Sequence, residues 1–208
     1  MPRIRERSRL EGRLDKALKV FWEKGYYDTS IEDLSARSGL NRDVIYGGYG
    51  NKRKFFEMLL ARYRDTYVAR WFAPLEMPDA TLVQAEAFFQ QFLDLPDPAD
   101  KLGCLMCLTS SEVSSHIRSV ERIVSRFLGD LHSLIRAACV RSRERGEVRP
   151  TTDPDVVADY GVGAVLGLWA MVRSPMPRSA IAHYVKGVRT YLRGLRPARG
   201  AGEIDGGV

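Results

Sequence analysis

The chain has 208 residues, 45% of them hydrophobic and 28% charged, with a formal net charge of +6 and three cysteines. That balance excludes a disordered or fibrous chain and reads as an ordinary water-built globular protein of one large or two smaller domains. The most apolar run, 162–172, carries Gly163 and Gly167 and falls short of the roughly 20 residues of a membrane span. The basic N-terminus leads into no apolar segment, so a secretory signal is not expected, and an odd cysteine count argues against a disulfide framework; the expected compartment is the cytoplasm. Through Lys54 there are thirteen Lys and Arg against eight Asp and Glu, so nearly all of the positive excess lies in the first quarter of the chain. Such a distribution attracts a polyanion through counterion release, although a solvated basic face would look the same.

In chain order, Leu10, Leu14, Ala17, Leu18 and Phe21 keep helical spacing and predict a first helix over 5–24, stopped by Gly25. Thr29 followed by Glu32 reads as a capping box for a short second helix ending near Ser38. Gly39 permits a tight turn, and Asn41 caps a third helix carrying Arg42, Asp43, Val44, Ile45 and Tyr46, which Gly47, Gly48 and Gly50 are expected to end. Two short helices about a glycine turn form a helix-turn-helix. Asn51 opens a long fourth helix over 51–73 with Phe55, Phe56, Leu59, Leu60, Tyr63, Tyr67 and Trp71. Pro74 and Pro78 then mark a boundary.

Beyond it the pattern predicts helices over 80–95, 102–112, 117–145, 153–172 and 178–195, with a loop over 95–100 and a disordered tail over 196–208. No segment reads as a strand, so the fold class is all-α. The expected domains are 1–55 for the helix-turn-helix, 51–73 as connector, and 74–195 for the remaining helices.

The spaced set Ala17, Phe21, Gly25, Tyr26, Thr29, Ser30, Asp33, Leu34, Gly39, Leu40, Tyr46, Tyr49 and Lys52 resembles the DNA-binding domain of the tetracycline-repressor (TetR) family. The resemblance covers about the first 60 residues. It implies a homodimeric, ligand-responsive transcription regulator, most simply a repressor, whose third helix enters the major groove of double-stranded operator DNA. Carried over by position, Arg42, Asp43 and Val44 become readers of guanine, cytosine and a thymine methyl. Tyr46, Tyr49 and Lys52 become phosphate-side contacts, and Thr29 and Ser30 backbone contacts at the start of the second helix. The sequence departs from the family at Gly47 and Gly48, where larger side chains usually lie against phosphates. A basic arm of Arg3, Arg5, Arg7 and Arg9 is placed to compensate.

The resemblance also implies an effector cavity among the later helices, with Phe89, Phe92, Met106, Cys107, Phe127 and Trp169 as expected lining. It implies further a four-helix dimer interface using Gly161, Ala164 and Leu168 of one helix and Tyr184, Val188 and Tyr191 of the last. Plain core packing is the competing reading for all twelve. Other constellations carry less. Cys104-x-x-Cys107 lacks a βαβ setting and a second ligand pair, so buried structural thiols are expected rather than a redox or metal site. Gly161-x-Gly163-x3-Gly167 follows no strand and does not read as a phosphate loop. His116, His132 and His183 are scattered, and no enzyme, metal or cofactor is expected. Two rival functions remain open at this point: a DNA-binding regulator without a small effector, and a small helical enzyme.

Overall fold

The computed structural model describes residues 2–95, 102–113 and 116–197, with the side chains of 2–7 left undescribed. Four helices make the N-terminal part: α1 (Pro2–Lys24), α2 (Ile31–Ser38), α3 (Arg42–Tyr49) and α4 (Lys52–Tyr63). A π-helical turn, Arg64–Val68, runs from α4 straight into α5 (Ala69–Glu76). The expected fourth helix is thus one rod with a π-turn inside it. Pro74 lies within α5 instead of ending it, because near the C-terminus its missing N–H removes one bond and leaves the last turn in place. The remaining helices are α6 (Leu82–Gln90), α7 (Leu105–Glu112), α8 (Arg118–Glu144), α9 (Pro154–Arg173) and α10 (Arg178–Gly194). No strand occurs among the described residues.

Helix α1 begins at Pro2 where 5 was expected and α7 at Leu105 where 102 was, and two further boundaries differ for local reasons. The helix expected over 80–95 is shorter, since Thr81 and Gln84 form a capping box that starts α6 at Leu82, and after Gln90 the chain closes into turns. In α3, Gly47 and Gly48 stay helical, and the stop falls on Gly50 at φ +83°. Residues 96–100 of the loop expected over 95–100, most of the tail and the side chains of Arg3, Arg5 and Arg7 lie outside the described residues. Of the expected tail, Arg196 is described, and its Nη2 lies 3.2 Å from Glu86 Oε1.

One continuous core runs from Leu14 to Leu195. At the N-terminal end it joins Leu14, Leu18 and Phe21 of α1 to Leu34 of α2, Ile45 of α3 and Phe55, Phe56 and Leu59 of α4. Arg62 of α4 ties the same layer together, bridging Glu11 and Asp15 of α1. At the other end α8 packs along α9, and α10 lies against α9 and α6. Helix α9 is long and apolar enough to cross a membrane by length and composition alone. Its buried side, Val157, Ala158, Gly161, Ala164, Val165 and Leu168, is core packing within the chain.

That packing corrects four of the six expected dimer residues. A Cβ on Gly161 would lie 2.7 Å from Ile135 Cδ1 of α8, so this glycine exists to let α8 approach. Ala164, Leu168 and Val188 are equally buried inside the single chain and have no surface to offer a second copy. Small residues on α9 do mark a close helix crossing, but the crossing is internal.

Candidate nucleic-acid interface

Helix α2 is capped by Ser30, not Thr29. The Ser30 hydroxyl accepts from the Asp33 N–H at 2.9 Å while the Asp33 carboxylate accepts from the Ser30 N–H, a reciprocal capping box. Lys24 Nζ lies 2.7 Å from the same carboxylate, and these bonds hold Asp33 well below the usual carboxylate range. Thr29 is 1% exposed and donates its hydroxyl to Gly25 O at 2.6 Å, so its side chain is spent on locking the α1–α2 corner. The Thr29/Glu32 spacing is one residue out of register with the true cap.

Gly39, at φ +71°, turns the chain into α3, where Asn41 Oδ1 accepts from the Val44 N–H at 2.8 Å. Only Ile45 of α3 is buried; Arg42, Asp43, Val44, Tyr46, Gly47 and Gly48 all face solvent. Val44 is 41% exposed, a poor place for an isolated valine and a good one for a thymine methyl. The Arg42 guanidinium sits 5.3 Å from the centre of the Tyr46 ring and 3.6 Å from Glu32, held loosely over the exposed face. Tyr49 differs from its neighbours: it is half-buried and packs on Phe55 at 4.8 Å, so its ring serves the joint between α3 and α4.

Lys52 begins α4 beside the Asn51 cap. Its Nζ lies 4.6 Å from the Tyr26 ring centre and 3.4 Å from the Tyr27 carbonyl, and partial burial lowers its pKa. The ammonium is therefore held in place before any phosphate arrives. Lys52 also lines an open groove of about 810 Å³ with Tyr26, Tyr46, Asn51, Arg53, His116, Ser119, Arg118 and Arg122. Sequence reasoning missed Arg53, His116, Arg118, Ser119 and Arg122 of this groove. Their charge is legible, but nothing local shows that the start of α8 lies beside the start of α4.

The expected effector residues divide. Phe127 and Trp169 line an internal aromatic nest with Tyr63, Trp71, Phe72, Phe88, Cys104 and Val165, where the room left for a guest is only about 10 Å³. Phe92 backs that nest, 4.8 Å from Trp169 and 5.1 Å from Trp71. Cys107 opens instead into a cleft of about 550 Å³ shared with Cys104, Leu108, Trp169 and Arg173. Phe89 and Met106 are fully buried and line neither space. Of the expected dimer residues, Tyr184 is exposed and Tyr191 half-buried; the Tyr191 ring packs at a tilt against the exposed Tyr160, centroids 4.3 Å apart.

Known proteins match along most of the chain. The model of bacterial regulatory proteins of the tetR family matches residues 14–59, and that of the tetracyclin repressor-like C-terminal domain matches 82–188. The HTH-type transcriptional repressor ComR of Escherichia coli (strain K12) is 32% identical over 155 residues, 71% of each chain. The HTH-type transcriptional repressor DhaR of Mycobacterium sp. (strain GP1) is 22% identical over 166 residues, covering 80% of this chain and 82% of that one. Among solved structures, a TetR-family regulator from Cytophaga hutchinsonii aligns with a TM-score of 0.78 at 18% identity, over 93% of this chain and 96% of that one. The TetR-family regulator CifR, as a cysteine mutant complexed with 26 bp double-strand operator DNA, aligns with a TM-score of 0.76 at 20% identity, over 86% of this chain and 94% of that one. With both halves matched by the family's own models and a repressor relative spanning most of its length, the chain belongs to the TetR family of bacterial regulatory proteins.

Proposed function

We propose that this chain is a cytoplasmic transcriptional repressor without catalytic activity, which binds operator DNA as a homodimer and is released by a small-molecule effector. The observation that carries the DNA-binding part is α3 itself: a helix with one buried residue and an uninterrupted exposed face, set beside a cationic groove. Residues 1–55 form the reading unit in this account and 74–195 the regulatory one. Arg42, Asp43 and Val44 meet base edges, while Tyr46, Ser30 and the prepositioned Lys52 meet phosphates. Arg53, Arg118 and Arg122 continue the phosphate track along the groove. ComR and DhaR are named repressors, and CifR has been solved on operator DNA, which supports the same reading.

The dimer surface proposed here is the outer side of α9 and α10: Val156, Tyr160, Gly163, Tyr184 and Tyr191. A Cβ on Gly163 meets nothing within 4 Å, in contrast to Gly161. Gly163→Arg is expected to shift the protein to monomer in sedimentation while leaving it folded; an unchanged dimer places the interface elsewhere. The effector is assigned to the aromatic nest around Trp169, which must widen on binding. The near-absence of space there favours a second reading, a regulator with no small effector. Footprinting on genomic fragments tests the main proposal: protection of an inverted repeat, half-sites one helical turn or a multiple apart, is expected. Sequence-indifferent protection would overturn it.

A further inference from the structure

The short helix α7 is connected to the helix-turn-helix at both of its ends. Ahead of its first turn, the carbonyls of Leu102 and Gly103 each accept from Trp22 Nε1 of α1 at 3.1 Å. Arg173 clamps the same place, donating to Leu102 O at 2.9 Å and to Trp22 O at 3.1 Å. At its far end, the Glu112 carboxylate accepts the N–H groups of Tyr26 at 3.2 Å and Tyr27 at 3.1 Å, in the corner between α1 and α2. Eight residues thus connect the regulatory helices to the corner that sets the angle of α2 and α3.

The first turn of this helix holds Cys104 and Cys107, both free thiols. Cys104 is the N-cap residue in extended conformation, and no side chain caps the helix. Burial alone would raise the Cys104 thiol. Hydrogen bonds from the Cys107 thiol, the Cys107 and Met106 N–H groups and the Tyr63 hydroxyl outweigh that effect and bring it below its ordinary value. Cys107 moves the other way because it hydrogen-bonds to Cys104 and is itself buried. Cys104 is thus the thiol shifted toward the thiolate, Cys107 is hydrogen-bonded to it, and both line the 550 Å³ cleft.

We propose that Cys104 and Cys107 form an oxidant-sensing site at which a hydroperoxide converts the pair to a disulfide and so loosens the corner held by α7. In the first step the Cys104 thiolate attacks a peroxide oxygen. The S–O bond forms, the O–O bond breaks, and the departing hydroxide or alkoxide leaves with a proton as water or alcohol. In the second the Cys107 sulfur attacks the Cys104 sulfenic acid; the S–S bond forms, the S–O bond breaks, and hydroxide leaves with the Cys107 proton as water. Two thiols lose two electrons and the peroxide gains them. Cys104 then accepts no hydrogen bond from Tyr63 or the Cys107 thiol, and the first turn of α7 rearranges against the Trp22 clamp. The consequence for operator DNA rests on the function proposed above, whereas the change at the α1–α2 corner does not.

The test uses the full-length reduced protein treated with hydrogen peroxide. Intact mass should fall by two hydrogens, with peptide mapping linking Cys104 to Cys107. Hydrogen exchange at the Tyr26 and Tyr27 amides should quicken, and affinity for a duplex selected from a random library by the reduced protein should drop by about fivefold or more. Cys139→Ser should keep all three responses; Cys107→Ser and Cys104→Ser, the latter bringing a hydroxyl suited to an N-cap, should lose them. No Cys104–Cys107 link, or a link with unchanged exchange at Tyr26 and Tyr27, overturns the proposal. If the reduced protein selects no duplex while oxidation still quickens exchange at Tyr26 and Tyr27, the oxidant site stands and the DNA-binding reading falls.

Discussion

Helices α3 and α7 are both eight residues long, and they stand at opposite extremes of how a short helix is held. Too short to persist alone in water, each depends on its surroundings. Helix α3 has one buried anchor, Ile45, a side-chain cap from Asn41 and a glycine stop at Gly50, and leaves its remaining surface open. Helix α7 has no side-chain cap but three buried residues, Leu105, Met106 and Thr109, and bonds leading away from both ends to α1, α4 and the α1–α2 corner. On the roles proposed above, the contrast separates two jobs. A helix that must meet a partner is fixed from one side and capped locally, while one that must transmit is bonded to everything around it.

The comparison can be broken most severely at the single anchor of α3. Ile45→Ala is expected to cost about 2–5 kcal/mol by opening a cavity that capping cannot offset; urea denaturation checks this, and a loss under about 1 kcal/mol would mean that α3 is held by its caps. Next in size, Arg42→Ala should cost about 1–3 kcal/mol at one base pair of each half-site and leave binding to random duplex unchanged. Titration on operator variants decides it, and a uniform loss over all sequences would make Arg42 a phosphate contact.

A smaller effect is expected from α7. Glu112→Ala removes the acceptor for two N–H groups in a partly exposed corner, which is expected to destabilise the folded chain by about 1 kcal/mol. The amides of Tyr26 and Tyr27 should exchange faster by NMR; unaltered protection there would deny that α7 grips the corner. Smallest of all, Gly48→Ala should stabilise α3 by up to about 1 kcal/mol, since the site is exposed, helical and open around a new Cβ. Thermal unfolding measures it, and no gain would show that α3 is not fully helical in solution.

The all-α fold and the order of its helices were legible because their signals are local. Periodicity placed α8, α9 and α10 within a residue or two, and Asn41 and Gly39 did mark the turn between α2 and α3. Where two local signals competed, the wrong one was chosen: Thr29/Glu32 and Ser30/Asp33 have the same spacing, and only burial of Thr29 against Gly25 separates them. Spatial neighbours were less legible. The small side chains of α9 announced a close crossing without saying with what, and Ile135 supplied the answer for Gly161. Arg118 and Arg122 joined Lys52 in one groove across more than 60 residues of sequence. Likewise Cys104-x-x-Cys107 reads as ordinary core until Tyr63 of α4 and the Trp22 clamp are seen beside it.

In the proposed binding mode α3 reads bases while the start of α4 holds phosphate. It is tested most directly by measuring duplex affinity against salt concentration for the wild type, Lys52→Ala and Arg42→Ala on operator and random DNA. Lys52→Ala is expected to weaken both duplexes alike and to flatten the salt dependence by about one unit for each phosphate left without its ammonium. Arg42→Ala is expected to leave the salt dependence on random DNA unchanged and to erode only the preference for operator. Equal slopes and equal affinities for wild type and Lys52→Ala would contradict the account.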